Sequence, residues 1–160
     1  MRRWGWSGSR WRAEAPSPNA GVTGYAGVMQ LDNPAIQAEV RAVFDRYEDA
    51  LMNNKTEVLD SIFWADPRTV RFGITEILYG HEAIKAFRAS IARYAKRIQK
   101  NVHIVTFGDD FAATHLVYER VETGLIGRET KIMARMPEGW RVVSAHVSIL
   151  AEADVATQRK

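Results

Sequence analysis

The hydrophobic period of this chain changes near residue 100, and that change restricts the possible folds more than any other feature. Upstream, apolar residues recur at spacings of three and four; downstream, they alternate with polar ones. The first part therefore reads as mainly helical and the second as sheet. Asn33-Pro34 makes a helix entrance, with Asn at the cap and Pro at the first helical position. Behind it, Ile36, Val40, Val43, Phe44, Tyr47, Ala50 and Leu51 share one face, and Glu39, Arg41, Asp45, Arg46, Glu48 and Asp49 occupy the other. Asn53-Asn54 is the expected stop.

Thr56 is placed to cap a second helix over 57–63, with Glu57 and Asp60 suited to its N-terminal dipole. Asp66-Pro67 interrupts the chain. Residues 69–72 and 76–79 predict two short strands around Gly73. Gly80 opens a third predicted helix over 81–98, with Ile84, Phe87, Ile91, Ala95 and Ile98 as its apolar stripe. Segments 102–107, 112–121, 126–136 and 140–150 then predict four strands. Gly108-Asp109-Asp110, Gly124 and Pro137-Glu138-Gly139 separate them, giving an antiparallel meander with hairpin-length connections. Three helices packed into the curve of one sheet make an α+β domain with a conical pocket.

That domain spans residues 29–150 of the 160. Residues 1–28 lack Leu and Ile and show no periodicity, which predicts a disordered or spurious extension ahead of a start at Met29; 151–160 read as a flexible tail. Of 22 basic residues four lie in 1–28, and of 19 acidic ones only Glu14 does; 18 of each remain beyond residue 28. The domain is thus neutral, which argues against a nucleic-acid or membrane-surface partner. With 46% hydrophobic and 26% charged residues the chain has the composition of a soluble globular protein. It has no cysteine, which excludes disulfides, thiolate metal sites and thiol nucleophiles. No apolar run approaches the ~18 residues a membrane span needs, and no secretory leader is recognisable, so a cytoplasmic location is expected.

Polar residues on apolar faces are the candidates for chemistry. Tyr47 lies between Phe44 and Leu51 on the first helix. It is either a core tyrosine with a satisfied hydroxyl or a donor aimed into the pocket. Arg71 alternates with Val70 and Phe72, so it is either solvated or, if its face lines the pocket, a fork for a substrate carboxylate. His146 and Ser148 share a face with Ser144, which can line the cavity floor or meet water. Arg88 borders the stripe of the third helix and can reach the pocket mouth, and Trp64 is a further substrate-binding candidate. The other bases of that stretch, Lys85, Arg93, Lys96, Arg97 and Lys100, read as a solvated face. His103 and His115 show no metal-ligand spacing, so no metal is assigned. Neither a G-x-S-x-G elbow nor a glycine-rich phosphate loop occurs.

The run FDRYEDALMNNKTEVLDSIFWADPRTVRFGITEILYGHEAI, then FGDDFAATHLVYER and MPEGWRVVSAHVSIL, resembles the AtzH-like family of the NTF2 (SnoaL-like) superfamily over residues 33–150. The element order α-α-β-β-α-β-β-β-β agrees with that cystatin-like cone. The resemblance implies an amidohydrolase-type enzyme of nitrogen catabolism that converts 1,3-dicarboxyurea to allophanate, without a cofactor. It also implies a homodimer and association with an AtzE-like amidase and its small AtzG-like partner. The family's tyrosine and arginine match Tyr47 in FDRYEDAL and Arg71 in TVRFG. Two other readings stand beside it: a non-catalytic ligand-binding or dimerisation module, and a dehydratase or isomerase on the same fold, for which Glu76 is the candidate base.

Overall fold

Local chemistry explains most of the element boundaries in the structure, a computed structural model that describes residues Met29–Leu150. The expectations for 1–28 and 151–160 lie outside the described residues. Helix α1 (Pro34–Met52) starts where the Asn33 side chain accepts a hydrogen bond from the Ala35 N–H at 3.0 Å, and Asn53 and Asn54 end it. Asn54 sits at φ 53°, a left-handed conformation that asparagine tolerates better than most residues. Helix α2 (Thr56–Ile62) has Lys55 at its cap position, with Thr56 already inside the first turn. The Lys55 N–H is still bonded to Ala50 O at 2.8 Å, so α2 springs directly from the end of α1 and leaves Thr56 no capping role.

Two short strands follow, β1 (Val70–Phe72) and β2 (Ile77–Tyr79), then helix α3 (His81–Ser90). Gly80 precedes α3 at φ 86°, a conformation that favours glycine, and packs against the Pro67 backbone. Strands β3 (Arg97–Phe107), β4 (Phe111–Arg120), β5 (Ile126–Met136) and β6 (Gly139–Ile149) complete a six-stranded sheet in the order β2-β1-β6-β5-β4-β3. All neighbours are antiparallel except β1 and β6. The result is the expected α+β architecture: three helices on a curved, mainly antiparallel sheet.

The largest departure concerns α3, which the apolar spacing carries to residue 98 and the structure ends at Ser90. Ile91 is already extended, with its N–H bonded to Arg88 O at 3.1 Å in a tightened last turn. Arg97 and Ile98 pair with Arg120 and Glu119 as the start of β3. Long-range pairing overrides a helix-favouring Ala-Lys-Arg stretch, and the freed connection packs the half-buried Tyr94 against the core.

Alternation decides what each strand buries. On β5, Gly127, Glu129, Lys131 and Met133 face the helices. On β6, Trp140, Val142, Ala145 and Val147 do so. Val142 and Ala145 are three apart because the pairing skips one residue at Val143, a bulge that shifts the phase of the strand. The apolar core includes Val40, Leu59, Ile62, Ile84, Met133 and Val142, each no more than 1% exposed. Burial of each such side chain is worth about 1.5–3 kcal/mol, so this region holds the helices on the sheet.

Candidate functional site

A cavity of about 100 Å³ opens between the helices and the inner face of the sheet. Helix α1 contributes Tyr47 to its wall, β1 contributes Arg71, and α3 contributes Phe87 and Arg88. The connection after α3 adds Tyr94, and β3, β4 and β5 add Arg97, Arg120 and Glu129. Four arginines and three tyrosines (Tyr118 is the third) therefore face one carboxylate across a small space. Among the described residues no three His, Asp or Glu side chains are grouped to hold a metal ion.

Tyr47 is 4% exposed, and its ring packs 6.3 Å from that of Phe63. Burial pushes its phenol up to about 12, and Glu129 adds to the rise, while Arg88, Arg97 and Arg71 oppose it. At neutral pH the hydroxyl is protonated, a donor rather than a base.

Arg71 sits opposite Leu78 and Ala145 in the sheet and turns toward the cavity. Its Nη1 donates to Glu76 Oε1, and its guanidinium lies 5.3 Å from the Phe87 ring centre. Glu76 is held in turn: its Oε2 accepts from the Thr75 N–H at 3.1 Å and the Thr75 hydroxyl at 3.0 Å. Burial raises the Glu76 carboxyl, but Arg71 and Thr75 outweigh it, and the net direction is downward. Glu76 is therefore an orienting counter-ion for Arg71. Its side chain folds over Gly73, where a Cβ would collide with the carboxylate. A carboxylate so engaged, and outside the cavity wall, is poorly suited to the base role considered for Glu76.

Arg88 is 3% exposed. Its Nη1 donates to Asp60 Oδ1 at 2.8 Å, and its plane lies 4.2 Å from the Phe63 ring centre. An ionic cluster that the sequence analysis did not anticipate reaches the cavity wall through Arg97 and Glu129. Arg97 bonds to Glu48 and approaches Glu129 at 3.4 Å, and Lys131 bonds to Glu129. The Lys131 ammonium also stands 3.8 Å from the Tyr47 ring centre. Burial raises the Glu129 carboxyl, yet Arg97 and Lys131 hold it well below the usual carboxylate range. Arg97, expected on a solvated face, has a side chain only 6% exposed. One signal was available: Glu129 and Lys131 alternate in phase with Met133, so the inner face of β5 had to carry charge.

Three other candidates lie elsewhere. His146 and Ser148 project from the face of β6 opposite Ala145 and Val147, and it is Val147 that lines the cavity. His146 is exposed and meets Phe72 edge-on at 6.0 Å. The apolar half of the alternation takes the inner position, which sends the polar half outward. Trp64 is also away from the cavity: its ring lies under the Arg68 guanidinium at 4.5 Å, and its backbone N–H donates to Val142 O at 3.0 Å. His103 and His115 stack 6.2 Å apart, and both are exposed.

Comparison with known proteins agrees with this architecture. The AtzH-like family matches residues 29–153. The chain is similar to the crystal structure of a protein of unknown function from Pectobacterium atrosepticum, at 42% identity over 76% of this chain and 95% of that one, with a TM-score of 0.74. A cystatin-like fold protein from Burkholderia xenovorans is 40% identical over 77% of this chain and 98% of that one, also with a TM-score of 0.74. An NTF2-like protein of unknown function from Pseudomonas putida, 16% identical, shares the fold over 77% of this chain and 92% of that one, with a TM-score of 0.65. No curated protein matches. The chain belongs to the AtzH-like family and has an NTF2-like, cystatin-like fold.

Proposed function

We propose that this protein is an enzyme acting on a small dicarboxylated urea, converting 1,3-dicarboxyurea to allophanate. The observation that carries the reading is the convergence of a buried, protonated Tyr47 with Arg71 and Arg88 on one small cavity. At about 100 Å³ the cavity lies far below the 300–1,000 Å³ of pockets for drug-sized ligands. Its arginines favour an anion. Arg71, braced by Glu76, offers its remaining N–H groups to one substrate carboxylate.

In the reaction, the bond between one terminal carboxyl carbon and the urea nitrogen breaks. The electron pair stays on nitrogen, the carboxyl carbon leaves as CO2, or as bicarbonate if water adds, and the Tyr47 hydroxyl supplies the proton that nitrogen takes up. Solvent reprotonates the tyrosinate, whose formation Arg88, Arg97 and Arg71 make less costly. The reaction is a decarboxylating hydrolysis of a C–N bond and fits a cytoplasmic enzyme of nitrogen catabolism working beside an AtzE-like amidase and its AtzG-like partner. A dehydratase or isomerase for an apolar substrate fits less well, because the cavity is charged and Glu76 is committed to Arg71. The outer sheet face, with Phe72 and the exposed Ile77 and Tyr79, is the surface a homodimer would use; light scattering would test that.

The direct test supplies purified protein with fresh 1,3-dicarboxyurea and follows allophanate against the uncatalysed background. Acceleration that drops about 10²–10⁴-fold in Tyr47→Phe, with a comparable loss in Arg71→Lys, is the expected result. No acceleration by folded protein would move the reading to a binding module.

A further inference from the structure

Two buried polar atoms bordering this cavity, Arg88 Nη2 and the Tyr94 hydroxyl, have no hydrogen-bond partner among the described residues. Buried donors in folded proteins are nearly always paired, so two orphans on one small wall call for an explanation. Arg88 has little freedom to resolve its own case. Asp60 holds Nη1, Phe63 supports the guanidinium plane, and the Asp60 backbone carbonyl is within 3.0 Å of His81 Nε2. Its second nitrogen is therefore fixed in place. Tyr94 is brought to the same wall only because α3 stops at Ser90, and Arg88 is the strongest charge acting on its hydroxyl.

An acceptor that takes an N–H from Arg88 and an O–H from Tyr94 satisfies both. The other wall residues say which kind of acceptor. Arg71, Arg88 and Arg97 with Lys131 are balanced by Glu76, Asp60, Glu48 and Glu129, so Arg120 is the surplus charge of the wall and the balance is positive. Glu129, the one carboxylate of the wall, is engaged by Arg97 and Lys131. We propose that Arg88 and Tyr94 form a second anion subsite that binds the carboxylate retained in the product, while Arg71 faces the one that leaves. This rests on the proposed function for the assignment of the two ends. Two separated carboxylate positions make the protein selective for dicarboxylates over monocarboxylates of similar length.

Glutarate is the probe, because it places three chain atoms between its carboxylates, as 1,3-dicarboxyurea does, and has no C–N bond to break. Butyrate is the single-carboxylate control. Calorimetric titration of the full chain is expected to show glutarate binding at least 10-fold tighter than butyrate. Tyr94→Phe should weaken glutarate about 5-fold, and Arg88→Lys, which keeps a cation beside Asp60 but removes Nη2, about 10-fold or more. Butyrate affinity should stay unchanged in both. If Arg88→Lys fails to fold, Tyr94→Phe alone decides. Equal or undetectable binding of the two acids, or variants that bind glutarate like the unaltered protein, would overturn the subsite. Turnover of 1,3-dicarboxyurea with no glutarate preference removes the subsite and leaves the proposed reaction standing. Glutarate preference without turnover does the reverse.

Discussion

Within one step of the pleat, the inner face of β5 passes from Met133 in the apolar core to Lys131 and Glu129 in the ionic cluster. Both ends lie on one strand, and α1 reaches both, with Val40 at the apolar end and Glu48 at the charged one. At the apolar end every contact favours folding, because Leu59, Ile62 and Val142 leave water with no polar group to compensate. At the charged end Glu48, Arg97, Glu129 and Lys131 lose solvation that their mutual attraction barely recovers. The charged end is thus a poor device for stability and a good one for electrostatics. It anchors cations beneath Tyr47 and sets the potential of the cavity, and the apolar end holds the scaffold that makes this possible.

The sharpest way to break that comparison is to remove one charge. Glu129→Gln leaves Arg97 and Lys131 buried without that anion and is expected to cost about 3–5 kcal/mol in urea denaturation. A cost below about 1 kcal/mol would mean that the cluster is more hydrated than its burial indicates. Next comes the apolar end: Leu59→Ala is expected to cost about 2–5 kcal/mol, with glutarate affinity preserved in the folded variant. A parallel fall in affinity would show that the two ends do not act separately.

A smaller effect follows from acid. The Glu129 carboxyl is held below its ordinary value, so its contribution to stability is present above the ordinary glutamate range. It is lost as pH falls through the lower folded value. Stability measured from pH 6 downward should decline less steeply in Glu129→Gln than in the unaltered protein, and identical slopes would contradict the assignment. The smallest effect is spectroscopic. Tyr47 keeps its proton until about pH 12, and its contribution to stability fades only as pH rises from the ordinary tyrosine value of about 10 through that range. The ultraviolet difference between the unaltered protein and Tyr47→Phe should show no tyrosinate near pH 10. A full signal there would place the hydroxyl in water.

Tyr47 and Arg71 were legible because each interrupts a clear pattern: a hydroxyl on a helical apolar face, and a cation within an alternating strand. Both line the cavity. Arg97 and Glu48 were expected on charged, solvated faces and are buried instead, and Glu129 and Lys131 were given no role, because charged residues on helices and strands are usually solvated. Only packing brings these four, from α1, β3 and β5, into contact. His146 shows the converse. Alternation separated it from Val147 without saying which face the helices would cover.

Local sequence was enough to set the element order, the entrance of α1 at Asn33-Pro34, its stop at Asn53-Asn54 and the turns at Gly108, Gly124 and Gly139. These depend on local backbone preferences and on period, which a few neighbouring residues set. Where α3 ends, where β6 bulges and which charges are buried were fixed by long-range packing. Those outcomes depend on pairing between distant strands: Arg97 joins β3 because Arg120 is there to pair with it, and Tyr94 reaches the cavity because that pairing draws the chain out of the helix.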